Sequence, residues 1–219
     1  MSGKIFDYIL DLIYPQKCVF CGKVLGKTDI CNECSSKLPY TKGDEVSQKL
    51  SFIPKCVSPL YYEGVVRESF LRYKFMGVQA YSVLYGKLMS GCVENNLDCS
   101  GIDVISCVPL SSKRLRRRGY NQALLLAKEI SHNLNIPETQ LLKKNRDNPA
   151  QSGTKSAKER LSNVTGIYSL QSKADVREKT ILLVDDIVTT GATLSECARI
   201  LKKSGAEQVY AVTLARQRD

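Results

Sequence analysis

The 219-residue sequence predicts an α/β protein: a mainly parallel sheet with helices on both faces, preceded by a small cysteine-rich module. Three observations predict it. From about residue 65 onward, apolar runs of strand length alternate with helical periods, the pattern of strands joined by helical crossovers. Residues 181–184 are all apolar, as expected of a strand buried on both faces. Four of the nine cysteines fall in two Cys-x-x-Cys pairs before residue 35.

The elements follow in chain order. Ile5, Tyr8, Ile9, Leu12 and Ile13 have the spacing of one helix face, which suits a helix packed on the body or a membrane-surface anchor. Lys4, Asp7 and Asp11 break any secretory pattern, and no apolar run approaches the ~20 residues of a membrane span. No membrane insertion and a cytoplasmic location are therefore expected. Residues 1–55 read as the N-terminal helix and the cysteine module, and residues 56–219 as the main domain. Residues 41–59 are mixed and polar, with Pro54 and Pro59, and read as a connection plus an edge strand. Helices are expected over 65–75 and 79–95, and a strand over 102–108 ended by Pro109. Asn121 caps a helix running to 133. Short strands fit 141–144 and 164–170, around a polar stretch at 145–163. The strand at 181–184, a helix over 193–203, the stop at Gly205 and a strand over 208–214 complete the chain.

Cys18 and Cys21 form the first cysteine pair and Cys31 and Cys34 the second, with nine residues between them. Two such knuckles let four thiolates converge tetrahedrally on Zn²⁺. Gly22 suits a turn that points backbone N–H groups at sulfur. A segment this short has little core, so metal binding would supply much of its folding energy. Disulfides are the competing reading, disfavoured without a secretory signal. A redox dithiol needs only one pair. Cys56, Cys92, Cys99, Cys107 and Cys197 stand singly in apolar surroundings and read as small buried hydrophobes. His132, the single histidine, has no paired base or nucleophile nearby.

After the apolar run at 181–184 come Asp185 and Asp186, where that strand is expected to end, then Thr189, Thr190, Gly191, Ala192 and Thr193 leading into a helix. Strand, small-residue loop and helix start make a phosphate cradle, because free N–H groups and the positive end of the helix dipole face the anion. Carboxylates repel phosphate, so the two acids must serve something else: sugar hydroxyls, or a divalent cation bridging to more phosphate. A ligand with a phosphorylated end and a free diol fits both halves. The alternative is a strand end followed by a Thr-rich cap.

The net charge is +10, and residues 101–160, with 12 basic and 5 acidic side chains, hold +7 of it. Lys113, Arg114, Arg116, Arg117 and Arg118 lie just after a strand end, the usual ligand position on an open α/β sheet. With Leu110, Ser111, Tyr120 and Gln122 they suit a second anion site or a solvated, nucleic-acid-facing surface. The stretch 145–163, with Gln151 and Arg160, suits a lid or a surface loop.

The string 181–193 resembles the binding loop of the type I phosphoribosyltransferases, which hold phosphoribosyl pyrophosphate (PRPP). The resemblance implies that Asp185 and Asp186 meet the ribose hydroxyls, that residues 189–193 hold the 5′-phosphate, and that Mg²⁺ accompanies PRPP. A closed lid would protect an oxocarbenium-like transition state from water. One departure bears on the acceptor. The purine enzymes of that group carry a catalytic acid where this chain has Thr189, which disfavours purine salvage of that type.

The order of motifs, from the cysteine pairs through Arg117-Arg118-Gly119-Tyr120-Asn121-Gln122 to the Asp-Asp string, is similar to the ComF family of phosphoribosyltransferase-like competence proteins, over residues 18–214. That resemblance implies natural transformation, handling of incoming single-stranded DNA and partnership with a DNA-uptake helicase. Two other readings stay open. One is a nucleic-acid-binding adaptor with a regulatory or vestigial PRPP pocket. The other is a nucleobase-salvage phosphoribosyltransferase. The sequence identifies no general base, and whether the protein turns PRPP over is open.

Overall fold

The structure, a computed structural model, describes residues 15–26, 28–146 and 166–218. The expected N-terminal helix lies outside these residues, as do Gln151 and Arg160 of the expected lid. The first described elements are α1 (Asn32–Lys37), β1 (Ser47–Leu50), β2 (Ile53–Val57), β3 (Leu60–Tyr61), α2 (Gly64–Phe75), α3 (Tyr81–Asn96) and β4 (Val104–Cys107). Then come α4 (Ser112–Arg118), α5 (Gln122–Leu134), β5 (Leu142–Lys144), β6 (Tyr168–Leu170), β7 (Thr180–Val188), α6 (Ala192–Lys203) and β8 (Gln208–Arg216).

Six strands form the central sheet in the order β1-β2-β8-β7-β4, with β3 also against β8. All pairings are parallel except the β1–β2 hairpin. β7 lies between β8 and β4, and Ile181, Leu182, Leu183 and Val184 are fully buried in it. Their side chains alternate between two cores. Leu182 and Val184 join α2, α3 and α5 on one face, while Ile181 and Leu183 join α6 and the β5–β6 ribbon on the other. Each such side chain stabilises the centre by about 1.5–3 kcal/mol.

Three segments differ from expectation. β7 runs on to Val188, so Asp185 and Asp186 lie within the strand and not at its end. Its pairing continues with Asp185 opposite Thr213 and Val188 opposite Arg216, because backbone pairing does not stop where side-chain polarity changes. The basic segment contains a helix, α4, capped by the Ser111 hydroxyl and stopped by Gly119 in the left-handed region. Residues 41–59 supply a full hairpin and not one edge strand. β1 and β2 both belong to the central sheet, and β2 itself spans residues 55 and 56, the expected boundary.

The cysteine module packs on α2 and α3. Phe20 meets Tyr85 at 6.1 Å between ring centroids. Arg72 donates to the carbonyls of Val19 at 3.2 Å and Phe20, and the Ser69 hydroxyl donates to the Val19 carbonyl. No helix among the described residues is long and apolar enough to cross a membrane.

Candidate functional site

Four chain segments converge at the carboxyl end of β7, on a cavity of about 220 Å³. β7 contributes Asp185 and Asp186, and α6 contributes Thr193. The end of β4 and the region of α4 and α5 contribute Leu110, Arg114, Arg118, Asn121 and Gln122. The last turn of α2 brings Lys74, and the β5–β6 ribbon brings Lys144 and Tyr168.

The acids are crowded and largely removed from water. Asp185 Oδ1 accepts from the Asp186 N–H at 2.8 Å, and Asp186 Oδ1 from the Ile187 N–H at 2.7 Å. Burial, reinforced by the neighbouring Asp186 charge, pushes the Asp185 carboxyl up to about 8, and Lys74 and Lys144 pull it the other way. Lys74 Nζ stands 3.6 Å from Asp186 Oδ2. Such a pair favours a hydroxyl donor or a cation beside it.

The facing wall is cationic. Arg118 Nη1 donates to Gln122 Oε1 at 3.1 Å. Its buried Nε has no hydrogen-bond partner among the described residues. Burial holds the guanidinium below its usual range, against the pull of Asp186. A half-buried Arg with an unused donor is suited to phosphate oxygens. Asn121 is fixed by two bonds, its Oδ1 accepting from Ala123 N–H and its Nδ2 donating to the Val108 carbonyl. Lys144 lies over the Tyr168 ring at 5.1 Å.

The loop expected to hold phosphate leads into α6. Gly191 is left-handed, with φ +69°. The first N–H groups of α6 have no acceptor within the helix. Thr189 and Thr190 are exposed on the loop, Gly191 and Ala192 are buried, and Thr193 reaches the cavity wall. Of the second anion group, Leu110, Arg118 and Gln122 line the cavity. Ser111, Arg116 and Tyr120 do not. Ser111 is buried as the α4 cap, Arg116 is exposed, and the buried Tyr120 donates to the Tyr73 carbonyl. Sequence reasoning missed Lys74, Lys144 and Tyr168. Nothing local marks them, because tertiary packing alone brings them to the acids.

Cys18, Cys21, Cys31 and Cys34 place their sulfurs within 4.8 Å of one another. Cys21 Sγ and Cys31 Sγ are 3.8 Å apart. A Zn–S bond of about 2.3 Å gives a tetrahedral S···S edge of about 3.8 Å, whereas a disulfide needs about 2.05 Å. Burial tends to raise the Cys18 thiol, but the N–H groups of Cys31, Cys21 and Phe20 outweigh it and bring it to about 6. Burial and the crowded thiols push Cys34 up, a conflict that a central cation removes. The donor set therefore fits structural zinc. Among the remaining cysteines, burial pushes Cys56, Cys92 and Cys107 up to about 12 and Cys197 well up. None of these four is a nucleophilic thiolate at neutral pH. His132 is exposed on α5.

Comparison with known proteins agrees with both halves of the chain. The profile of the phosphoribosyl transferase domain matches residues 121–219, and that of the double zinc ribbon domain matches residues 9–45. Competence protein F of Haemophilus influenzae is 32% identical over 209 residues, covering 91% of this chain and 90% of that one. Competence protein ComFC of Streptococcus pneumoniae is 28% identical over 210 residues, 96% of this chain and 85% of that one. The DNA utilization protein YhgH of Escherichia coli K12 is 34% identical over 115 residues, 52% of this chain and 49% of that one.

Proposed function

Because the chain belongs to the competence protein F family of type I phosphoribosyltransferase-like proteins, we propose that it binds PRPP and serves DNA uptake by handling incoming single-stranded DNA. One observation carries the PRPP half: a single cavity sets a half-buried acid pair against cations and a loop suited to phosphate. Asp185 and Asp186 accept from the ribose diol. The loop ending at Thr193 takes the 5′-phosphate. Arg118, Arg114 and Lys74 take the pyrophosphate. The chemistry of this donor set also fits Mg²⁺, which Asp185 and Asp186 would hold and which would supply charge neutralisation to pyrophosphate. The DNA half rests on the relatives' names and on the basic middle of the chain, and partnership with an uptake helicase belongs to the same reading. Any transfer reaction would break the bond from the anomeric carbon to pyrophosphate and make one to an acceptor. Thr189 offers no base for it.

Calorimetric titration of PRPP with Mg²⁺ tests the pocket. Asp185→Asn with Asp186→Asn removes two contacts that become charge-assisted once the ligand and its cation draw Asp185 into its ionised form, at about 1.5 kcal/mol or more each, upwards of a hundredfold in affinity. Unchanged affinity in the double variant would show that the acids do not hold the ribose.

A second reading has its own observation. Lys113, Arg116 and Arg117 are exposed on α4 and do not line the cavity. They suit a strand-binding surface beside a pocket in which PRPP only regulates. The two readings part on whether PRPP is consumed when single-stranded DNA is present.

A further inference from the structure

Phe75 ends α2 with 59% of its surface exposed, and Met76 follows at 70%. Single exposed apolar residues are ordinary, but the surroundings of this one are not. The Arg118 guanidinium lies 5.4 Å from the centre of its ring and Lys74 Nζ 5.9 Å. Both cations line the cavity, and Phe75 itself does not. The ring therefore sits at the mouth of the pocket. Leu115, 42% exposed, precedes Arg118 by one turn of α4, and Arg116 and Arg117 are exposed on the same helix. Solvent-facing aromatic and apolar groups thus alternate with cations across α2 and α4.

That mixture selects a ligand class. A free phosphate or pyrophosphate has no use for an exposed phenyl ring. An apolar protein partner gains little from a ring flanked by two cations whose desolvation is costly. A strand with unpaired bases uses both, since each base has a face to stack and each phosphate meets a cation. We propose that Phe75 is a stacking platform for a base of a single-stranded nucleic acid whose phosphates follow the cations of α4. The inference rests on the DNA half of the proposed function and adds the contact surface and the residue that reads the base. It also fixes the strand's place, at the rim of the PRPP pocket, with a nucleotide within reach of Arg118.

The chain contains no tryptophan, so Phe75→Trp introduces a unique fluorophore. Stacking predicts quenching by oligodeoxythymidylate and none by an abasic strand of equal length and charge. Phe75→Ala should lower affinity for the base-bearing strand by about tenfold and leave that for the abasic strand and for PRPP unchanged. Because Phe75 is exposed, this variant keeps its fold, which circular dichroism checks. Oligonucleotide binding that persists with equal strength in Phe75→Ala, or a silent tryptophan while binding persists, overturns this inference and leaves DNA handling intact. A wild-type protein that binds PRPP but no strand at low salt overturns both this inference and direct DNA handling.

Discussion

Replacing Gly191 by alanine separates two costs that the structure places on one residue. The first is backbone strain. At φ +69° and ψ 3° a Cβ costs about 1–2 kcal/mol. The second is contact. The new Cβ would stand 2.5 Å from Leu50 Cδ2 and 2.9 Å from Cδ1, on the edge strand β1. Leu50 is half-buried and can turn away, at about 1 kcal/mol for a displaced rotamer. Gly191→Ala should therefore destabilise by about 2–3 kcal/mol in urea unfolding. Leu50→Ala removes the contact and not the strain, so the double variant should recover about 1 kcal/mol relative to additivity, well above the ~0.3–0.5 kcal/mol of independent sites. Gly191 also sets the start of α6, its carbonyl accepting from the Ser195 N–H at 2.8 Å. PRPP affinity should accordingly fall in Gly191→Ala and return in part in the double variant. An additive cycle would show that Leu50 does not close on the loop, and an undiminished stability would show that the loop is not held left-handed.

Metal analysis should find about one Zn per chain, lost with Cys18→Ser, and removing zinc should also weaken PRPP binding severalfold; unaltered affinity in metal-stripped protein would refute the second part. The Asp185 carboxyl, raised by burial and by Asp186 to about 8 from the ordinary 3.8, contributes stability that is full below pH 4 and lost as pH rises through 8. Asp185→Asn should consequently raise the melting temperature by about 2–4 °C or more at pH 9, with a smaller gain at pH 5, and an equal gain at both would refute the shift. Replacing Arg116, Arg117 and Arg118 by alanine should weaken single-stranded DNA binding and flatten its salt dependence by about two units of slope, at ~0.7 per phosphate. An unchanged slope would place the strand elsewhere.

The parts of the site legible in the sequence are those whose chemistry is local. Two Cys-x-x-Cys pairs can surround one metal whatever the rest of the chain does. The loop from Thr189 to Thr193 needs only a strand before it and a helix after it. The end of β7 was not legible, because Asp185 and Asp186 break the apolar pattern while pairing with β8 carries the backbone on to Val188. α4 could have been found. Ser111 is a good N-cap, Gly119 a good stop, and Lys and Arg are strong helix formers. Its five cations point first to charge and so draw attention away from the helix signals around them. Lys74 left no trace at all. On an α2 whose buried side chains are Val66, Ser69, Phe70 and Tyr73 it is one more surface lysine until the fold sets it 3.6 Å from Asp186.

The position of Lys74 also gives the zinc module a role beyond its own folding. α2 is tied at its last turn to residues 120–122 on one side and to the cysteine module on the other. Its buried face meets the cysteine module, where Ser69 and Arg72 donate to the carbonyls of Val19 and Phe20, the two residues between Cys18 and Cys21. Cys18 and Phe20 are fully buried in the same core as Phe70, Tyr73 and Tyr85. The next residues along α2 reach the pocket: the Tyr73 hydroxyl donates to the Gln122 carbonyl at 3.0 Å, Gln122 Nε2 donates to the Lys74 carbonyl at 3.4 Å, and Lys74 faces Asp186. One helix thus touches the zinc knuckle at residues 69–72 and the acid pair at residue 74, within about two turns. Four thiolates that spring apart without their cation would release the two carbonyls that hold the helix. Asp186 would then lose the cation that tempers its repulsion with Asp185. Here one helix joins the cysteine module to the acid pair, so loss of zinc and loss of PRPP affinity are expected to go together.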